Sequence, residues 1–304
     1  MSRTAARTTA AVLLSAPALA VIGLFFFVPV AASLLLSLTD FDIYSVADLS
    51  AMRFVGLDNY AAVLADPQFH RAMRNTLYFV LVGGPLSIAV SLGAALLVDS
   101  RLARFKGLYR TVFFLPVTTT IVAVAVVWRY LYHPRYGLLN QALTALGFAP
   151  IDWLGDPDWS MPAIILMAVW KNFGFNMIIL VAGLQSIPER IYEAASLDGA
   201  GPWRRFVSIT LPLLAPMLGF VTLLTAIGYF QFFAEPYVMT RGGPAGSTRS
   251  VVLLMYEEGF RWWNLGRASA VAFLLFAVIL GATLLQLGLR RLRMVSPGID
   301  GASR

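Results

Sequence analysis

A chain of 304 residues that is 59% hydrophobic and 13% charged, with a mean hydropathy of +0.74, lacks the polar surface that a soluble domain of this size needs. With no cysteine it has no disulfide framework, no thiolate nucleophile and no thiolate metal site. The net charge of +7 does not argue for nucleic acid, because the basic residues fall between apolar runs of membrane length, where loop arginine accounts for them.

Arg3 and Arg7 precede an apolar run over residues 10–38. Ala16 to Ala20 mimics a signal-peptidase site. The apolar stretch before it is too short, however, and the run continues well past it, so an uncleaved first span is expected. Residues 39–74 are polar and mixed in charge. Asn75 and Thr76 open a second span, 75–98, which is followed by a basic stretch holding Arg101, Arg104, Lys106 and Arg110. A third span is expected over 111–132, with Pro116 inside it, and a fourth over 161–185 after a loop with Asp152, Asp156 and Asp158. A polar loop, 186–212, separates the fourth span from a fifth, 213–233. A longer loop leads to a sixth, 268–289, closed by Arg290, Arg291 and Arg293. Runs of about 20 apolar residues of this kind predict an all-α membrane protein with six transmembrane helices, read as one transmembrane domain over 1–304. The Lys/Arg bias places both termini and the 186–212 loop in the cytoplasm, so an even number of spans is consistent.

That loop carries ordered helix signals. Ser186 followed three residues later by Glu189 reads as a capping box, with Pro188 tolerated in the first turn. A short helix is predicted to reach Asp198 and to end at Gly199, where glycine takes the left-handed conformation without penalty. A second short helix, Trp203 to Thr210, carries Arg204 and Arg205 and is expected to stop at Pro212. An ordered loop between two spans reads as a docking element; the plainer reading is an ordinary amphipathic loop helix.

The residues Glu193-Ala194-Ala195, Gly199 and Ile209-x-Leu211-Pro212, at these spacings, resemble the EAA motif of ABC-importer permease subunits. Ile187-Pro188 and Asp198-Gly199-Ala200 are similar to the sugar class, the maltose-type and glycerol-3-phosphate-type permeases. Further similarity lies in Phe54 to Tyr60, Phe113 to Pro116, Trp128, Gly137 to Asn140, the Gly242-Gly243-Pro244 turn and the segment Tyr256 to Phe260. The resemblance implies a type I ABC-importer permease fold in the bacterial cytoplasmic (inner) membrane. It also implies a second permease subunit of different sequence, an ATPase dimer that binds ATP and Mg, and an extracytoplasmic sugar-binding protein. In that family the loop is the coupling helix. Glu193 would then pair with a basic ATPase residue, Gly199 would permit the bend, and Ala194, Ala195 and Leu197 would fill the ATPase cleft. Asp198, Arg204, Arg205 and Pro212 complete the coupling set.

The chain itself shows no enzymatic constellation. There is no G-x-x-x-x-G-K-[ST] loop, and the only lysines, Lys106 and Lys171, lie in no glycine-rich phosphate loop. His70 and His133 lie far apart, without metal-ligand spacing, so no metal or other cofactor is expected in this chain. What remains is polar character within the spans. Lys171, Asn172, Phe175 and Asn176 lie near the middle of the fourth; Thr225, Tyr229, Gln231 and Phe232 lie on the fifth. Amides, hydroxyls and aromatic faces suit a path for hydroxylated solutes. The same Asn, Gln and Thr equally serve as bonds between helices. A charge at the position of Lys171 should face a cavity or a partner. An acidic group of a partner subunit, the phosphate of a substrate, and Glu235 are the options open. The function expected is import of a sugar or related polyol, with glycerol-3-phosphate or another small solute as alternative. An ion-coupled secondary transporter and a membrane scaffold are the readings from other classes.

Overall fold

A computed structural model describes residues 3–47, 52–100 and 104–295. Among these the chain is helical, with a single isolated antiparallel bridge between Thr39 and Phe54. Five helices are long and apolar enough to cross a membrane: α1 (Val12–Ser37), α2 (Pro67–Asp99), α5 (Pro157–Gln185), α7 (Pro202–Phe230) and α9 (Leu265–Leu289). Two shorter ones, α3 (Lys106–Thr118) and α4 (Ile121–Leu131), form a sixth candidate span bent by 97°. Between the spans lie α6 (Glu189–Leu197) and α8 (Ala234–Met239). The side chains of Arg3, Arg7, Arg101, Arg290, Arg291 and Arg293 lie outside the described residues.

The predicted third span is therefore not one helix. At the bend Thr119 and Thr120 are extended, with ψ of 149° and 140°. The Thr118 hydroxyl donates to the Leu115 carbonyl (2.8 Å) and the Thr119 hydroxyl to the Pro116 carbonyl (2.7 Å). Side-chain donors thus replace the backbone N–H groups that would have continued the helix, and three successive threonines favour the exchange.

Helix ends also differ from expectation. The second span begins at Pro67, because Phe69, Ala72 and Thr76 are buried at helical spacing although their neighbours are polar. The fourth begins at Pro157, where the Asp156 side chain accepts the Asp158 N–H at 2.8 Å as an N-cap. Pro212 does not end a helix: α7 runs continuously from Pro202 to Phe230. The reason is shared with two other spans. Pro29, Pro85 and Pro212 each follow a five-residue π-helical segment, Gly23–Phe27, Phe79–Gly83 and Phe206–Thr210, by two residues. Widening the preceding turn carries the clashing carbonyl away from the proline ring, and the missing N–H is absorbed where the hydrogen-bond register changes.

Contacts divide the chain into two compact units, Met1–Pro67 with Leu254–Ala277, and Gln68–Leu253 with Val278–Arg304. In the first, the Phe54 to Tyr60 signature staples the end of α1. Gly56 makes a left-handed turn (φ +59°), the Asn59 amide donates to the Ser37 and Thr39 carbonyls (3.0 and 2.7 Å), and the Tyr60 hydroxyl meets the Ser37 hydroxyl at 2.7 Å. Arg267 in the same unit pairs with Asp66 and, at 2.8 Å, with Glu258.

In the second unit the core lies between α2, α5 and α7, built from Ala94, Ala95, Val98, Met177, Leu180, Val181, Leu184, Leu214 and Val221. Small residues set the close approaches. A Cβ at Gly174 of α5 would overlap the Phe113 carbonyl oxygen of α3, and one at Gly183 would press on Leu214 and Met217 of α7. So Gly174 serves packing, and α5 is continuous through it. Asn140 organises the loop after α4. Its amide donates to the carbonyls of Pro134 (3.1 Å) and Ile151 (2.8 Å), and its oxygen accepts from Ile151 N–H (3.1 Å) and Trp153 Nε1–H (3.0 Å).

Candidate functional site

All the side chains expected on a polar path come together. Lys171, Asn172, Phe175 and Asn176 from α5, with Thr225, Tyr229, Gln231 and Phe232 from α7 and its end, line one cavity of about 460 Å³. The wall is completed by Phe79 of α2, Val117 and Ile121 on either side of the α3–α4 bend, and Glu235 of α8. Phe232 lies just beyond the end of α7 rather than on a further turn of it, and stacks on Phe79 at 4.0 Å. Tyr229 leans on the same ring at 4.8 Å. Sequence reasoning missed Phe79, since one aromatic in an apolar run carries no mark of which way it faces. Phe79 is the first residue of the π-helical turn that precedes Pro85.

Not every polar group faces the open space. The Asn176 amide donates to the Thr225 hydroxyl at 2.9 Å, tying α5 to α7, so this pair acts as a bond between helices while bordering the cavity. Lys171, 7% exposed, donates from Nζ to the Val117 carbonyl at 3.2 Å. In an unbroken helix that carbonyl would accept from Ile121, so the bend creates the acceptor that Lys171 uses. Glu235 is buried to the same degree, at 9% exposed, and lies within electrostatic reach of Lys171. The Tyr229 hydroxyl lies beside Ser87 and Asn172, is buried, and makes no well-formed hydrogen bond. Gln231 and Phe175 are the exposed members of the set.

The second candidate element is the segment joining α5 to α7. Ser186 belongs to the end of α5, donating its hydroxyl to the Gly183 carbonyl at 2.7 Å. It therefore does not cap α6, whose N-cap is Pro188. At the other end Gly199 is left-handed (φ +74°); its N–H bonds the Ser196 carbonyl (3.1 Å), and Ala200 N–H bonds the Ala195 carbonyl (2.9 Å), a Schellman closure. Pro202 then starts α7. The two limbs are fastened side by side: Arg205 Nη1 donates to the Ser196 hydroxyl (2.8 Å), and the Tyr192 and Thr210 hydroxyls meet at 2.9 Å. No residue of α6 is buried. Leu197 (90% exposed) and Trp203 (75%) flank the glycine turn, with Glu193, Ala194, Asp198 and Arg204 also exposed; Ala195 and Arg205 are half-buried. A rigid loop with exposed apolar side chains at its tip has the form of a docking element.

Residues 87–293 match the model of the binding-protein-dependent transport system inner membrane component family. The lactose transport system permease protein LacF of Rhizobium radiobacter is 36% identical over 276 residues, covering 89% of this chain and 90% of that protein. The sn-glycerol-3-phosphate transport system permease protein UgpA of Agrobacterium fabrum (strain C58) is 34% identical over 278 residues, covering 90% and 92%. Among solved structures, a chain of a bacterial alginate ABC transporter, crystallised with an alginate pentasaccharide-bound periplasmic protein, superposes with a TM-score of 0.82 at 22% identity. It covers 96% of this chain and 97% of that one.

Proposed function

The chain belongs to the family of binding-protein-dependent transport system inner membrane components, and from that premise we propose that it is one permease half of an ATP-driven importer for a saccharide or related polyol. One observation carries the reading. Two of the helices that line the cavity, α5 and α7, are the ones that the exposed loop joins. A force on α6 therefore acts on α7 through the Tyr192–Thr210 and Arg205–Ser196 contacts, and on α5 through the short chain connection at Ser186–Pro188. A separate ATPase dimer would supply that force, with ATP and Mg bound on its own subunits. Leu197 and the Ala194–Ala195 face would enter its cleft, and Glu193 would meet a basic group there. A second permease chain would close the cavity, and a binding protein would deliver the solute from the other side. Rocking of α5 and α7 would alternate access. With the Lys/Arg-rich segments inside, the loop and both termini lie in the cytoplasm.

Neutral hydrogen-bonding groups on Asn172 and Gln231, beside the Phe79 and Phe232 rings, suit sugar hydroxyls and ring faces. Similarity to UgpA supports glycerol-3-phosphate as a second reading. The test is uptake into proteoliposomes holding this chain with its partner permease, ATPase and binding protein, over a panel of sugars and glycerol-3-phosphate. Uptake of one solute only with both ATP and binding protein is expected. Uptake driven by an ion gradient without the ATPase would overturn the proposal.

A further inference from the structure

We propose that Lys171 and Glu235 form a mutually neutralising pair that makes the cavity selective for uncharged, hydroxyl-bearing solutes over phosphate-bearing ones; this rests on the reading of the cavity as the solute path. Among the described residues lining the cavity, these two carry the only formal charges, and the charges are opposite. Both side chains are buried, on different elements, α5 and α8. One Lys171 donor is already engaged by the Val117 carbonyl.

A buried charge is tolerated when a partner offsets it and is costly when it stands alone. An incoming phosphate would gain from Lys171 and lose to Glu235 in the same space, so the pair offers an anion little net attraction. Among the described residues lining the cavity there is also no arginine, the side chain whose fork matches phosphate with two parallel hydrogen bonds. A neutral hydroxyl disturbs neither charge. It finds instead the accessible amides of Asn172 and Gln231 on the same wall. The α3–α4 bend is part of this arrangement, because the carbonyl it frees holds the ammonium in place.

The experiment uses Glu235→Gln, Lys171→Met and the double variant in the permease–ATPase complex. Thermal unfolding is followed with and without glycerol-3-phosphate, leaving out the binding protein so that any selectivity belongs to the permease. Glycerol-3-phosphate is expected to leave the wild-type melting temperature unchanged and to raise that of Glu235→Gln, where Lys171 stands uncompensated. In ATP-driven uptake of the neutral sugar each single variant should fall by about tenfold or more, and the double variant, which restores neutrality, should recover most of the rate. A melting shift of the wild type by glycerol-3-phosphate, or its import by the wild type, would overturn the proposal. So would a double variant as impaired as Lys171→Met, since Lys171 would then serve the solute directly. Absence of ATP-driven uptake of every solute would overturn the importer reading instead. The melting comparison would still read the charge balance: a shift confined to Glu235→Gln supports it, and equal responses of the two proteins refute it.

Discussion

Gly174→Ala adds one methyl group where α5 crosses α3 in the second unit. The new Cβ would overlap the Phe113 carbonyl oxygen and press on the Phe113 carbonyl carbon and Phe114 Cα. All three are backbone atoms of α3, so no side chain can rotate aside, and α3 has to move off α5 by about an ångström before ordinary contact returns. Overpacking of this kind costs about 1–3 kcal/mol, set against a gain of up to about 1 kcal/mol from replacing a mid-helix glycine by alanine. The net loss should lower the melting temperature by several degrees in a chain of this size. Gly93→Ala is the matched control: it lies within α2, on an exposed face, with nothing within 4 Å of the added Cβ. It should melt at or slightly above the wild type. Unfolding of the detergent-solubilised protein, followed by size-exclusion recovery after heating, compares the two directly. Displacement of α3 also moves Val117, the acceptor for Lys171, so transport should fall further than stability does. A Gly174→Ala protein that melts at or above the Gly93→Ala control would refute the argument.

Other consequences follow from single contacts. Asn140→Ala removes four hydrogen bonds that order the loop after α4, and should cost about 2–4 kcal/mol of stability, visible as a lowered melting temperature. Gly199→Val forces a β-branched residue to φ +74°, a strain of about 1–3 kcal/mol that distorts the exposed turn. Membrane insertion and the cavity should survive, and the complex should hydrolyse ATP without proportionate uptake; undiminished uptake would count against the coupling role. For Asn176→Ala and Thr225→Val, a double-mutant cycle on thermal stability should give a coupling of about 0.6–2 kcal/mol, the range for bonds between membrane helices. Additive losses would mean that the bond contributes nothing of its own.

Much of this protein was legible in its sequence because membrane insertion is a local property. Twenty apolar residues must form a helix wherever they cross the bilayer, so the runs around α1, α2, α5, α7 and α9 could be read without knowing their neighbours. The left-handed Gly199 was legible for the same reason: one residue type fits one backbone conformation. The polar residues of the fourth and fifth spans could be named, since Lys171, Asn172, Asn176 and Thr225 stand out against apolar surroundings. What each of them faces could not, because facing depends on which helices meet. Only the tertiary structure brings Phe79 to the cavity, turns Asn176 toward Thr225, and sets Lys171 against the carbonyl of a helix that had to break to offer it. The same holds for the prolines: Pro116, Pro188 and Pro212 look alike as helix breakers. A π-helical turn lets the chain pass Pro212, and the break near Pro116 is made by threonine hydroxyls. Composition fixes that a segment lies in the membrane; hydrogen-bond register and packing between helices decide where its backbone opens and what its polar groups meet.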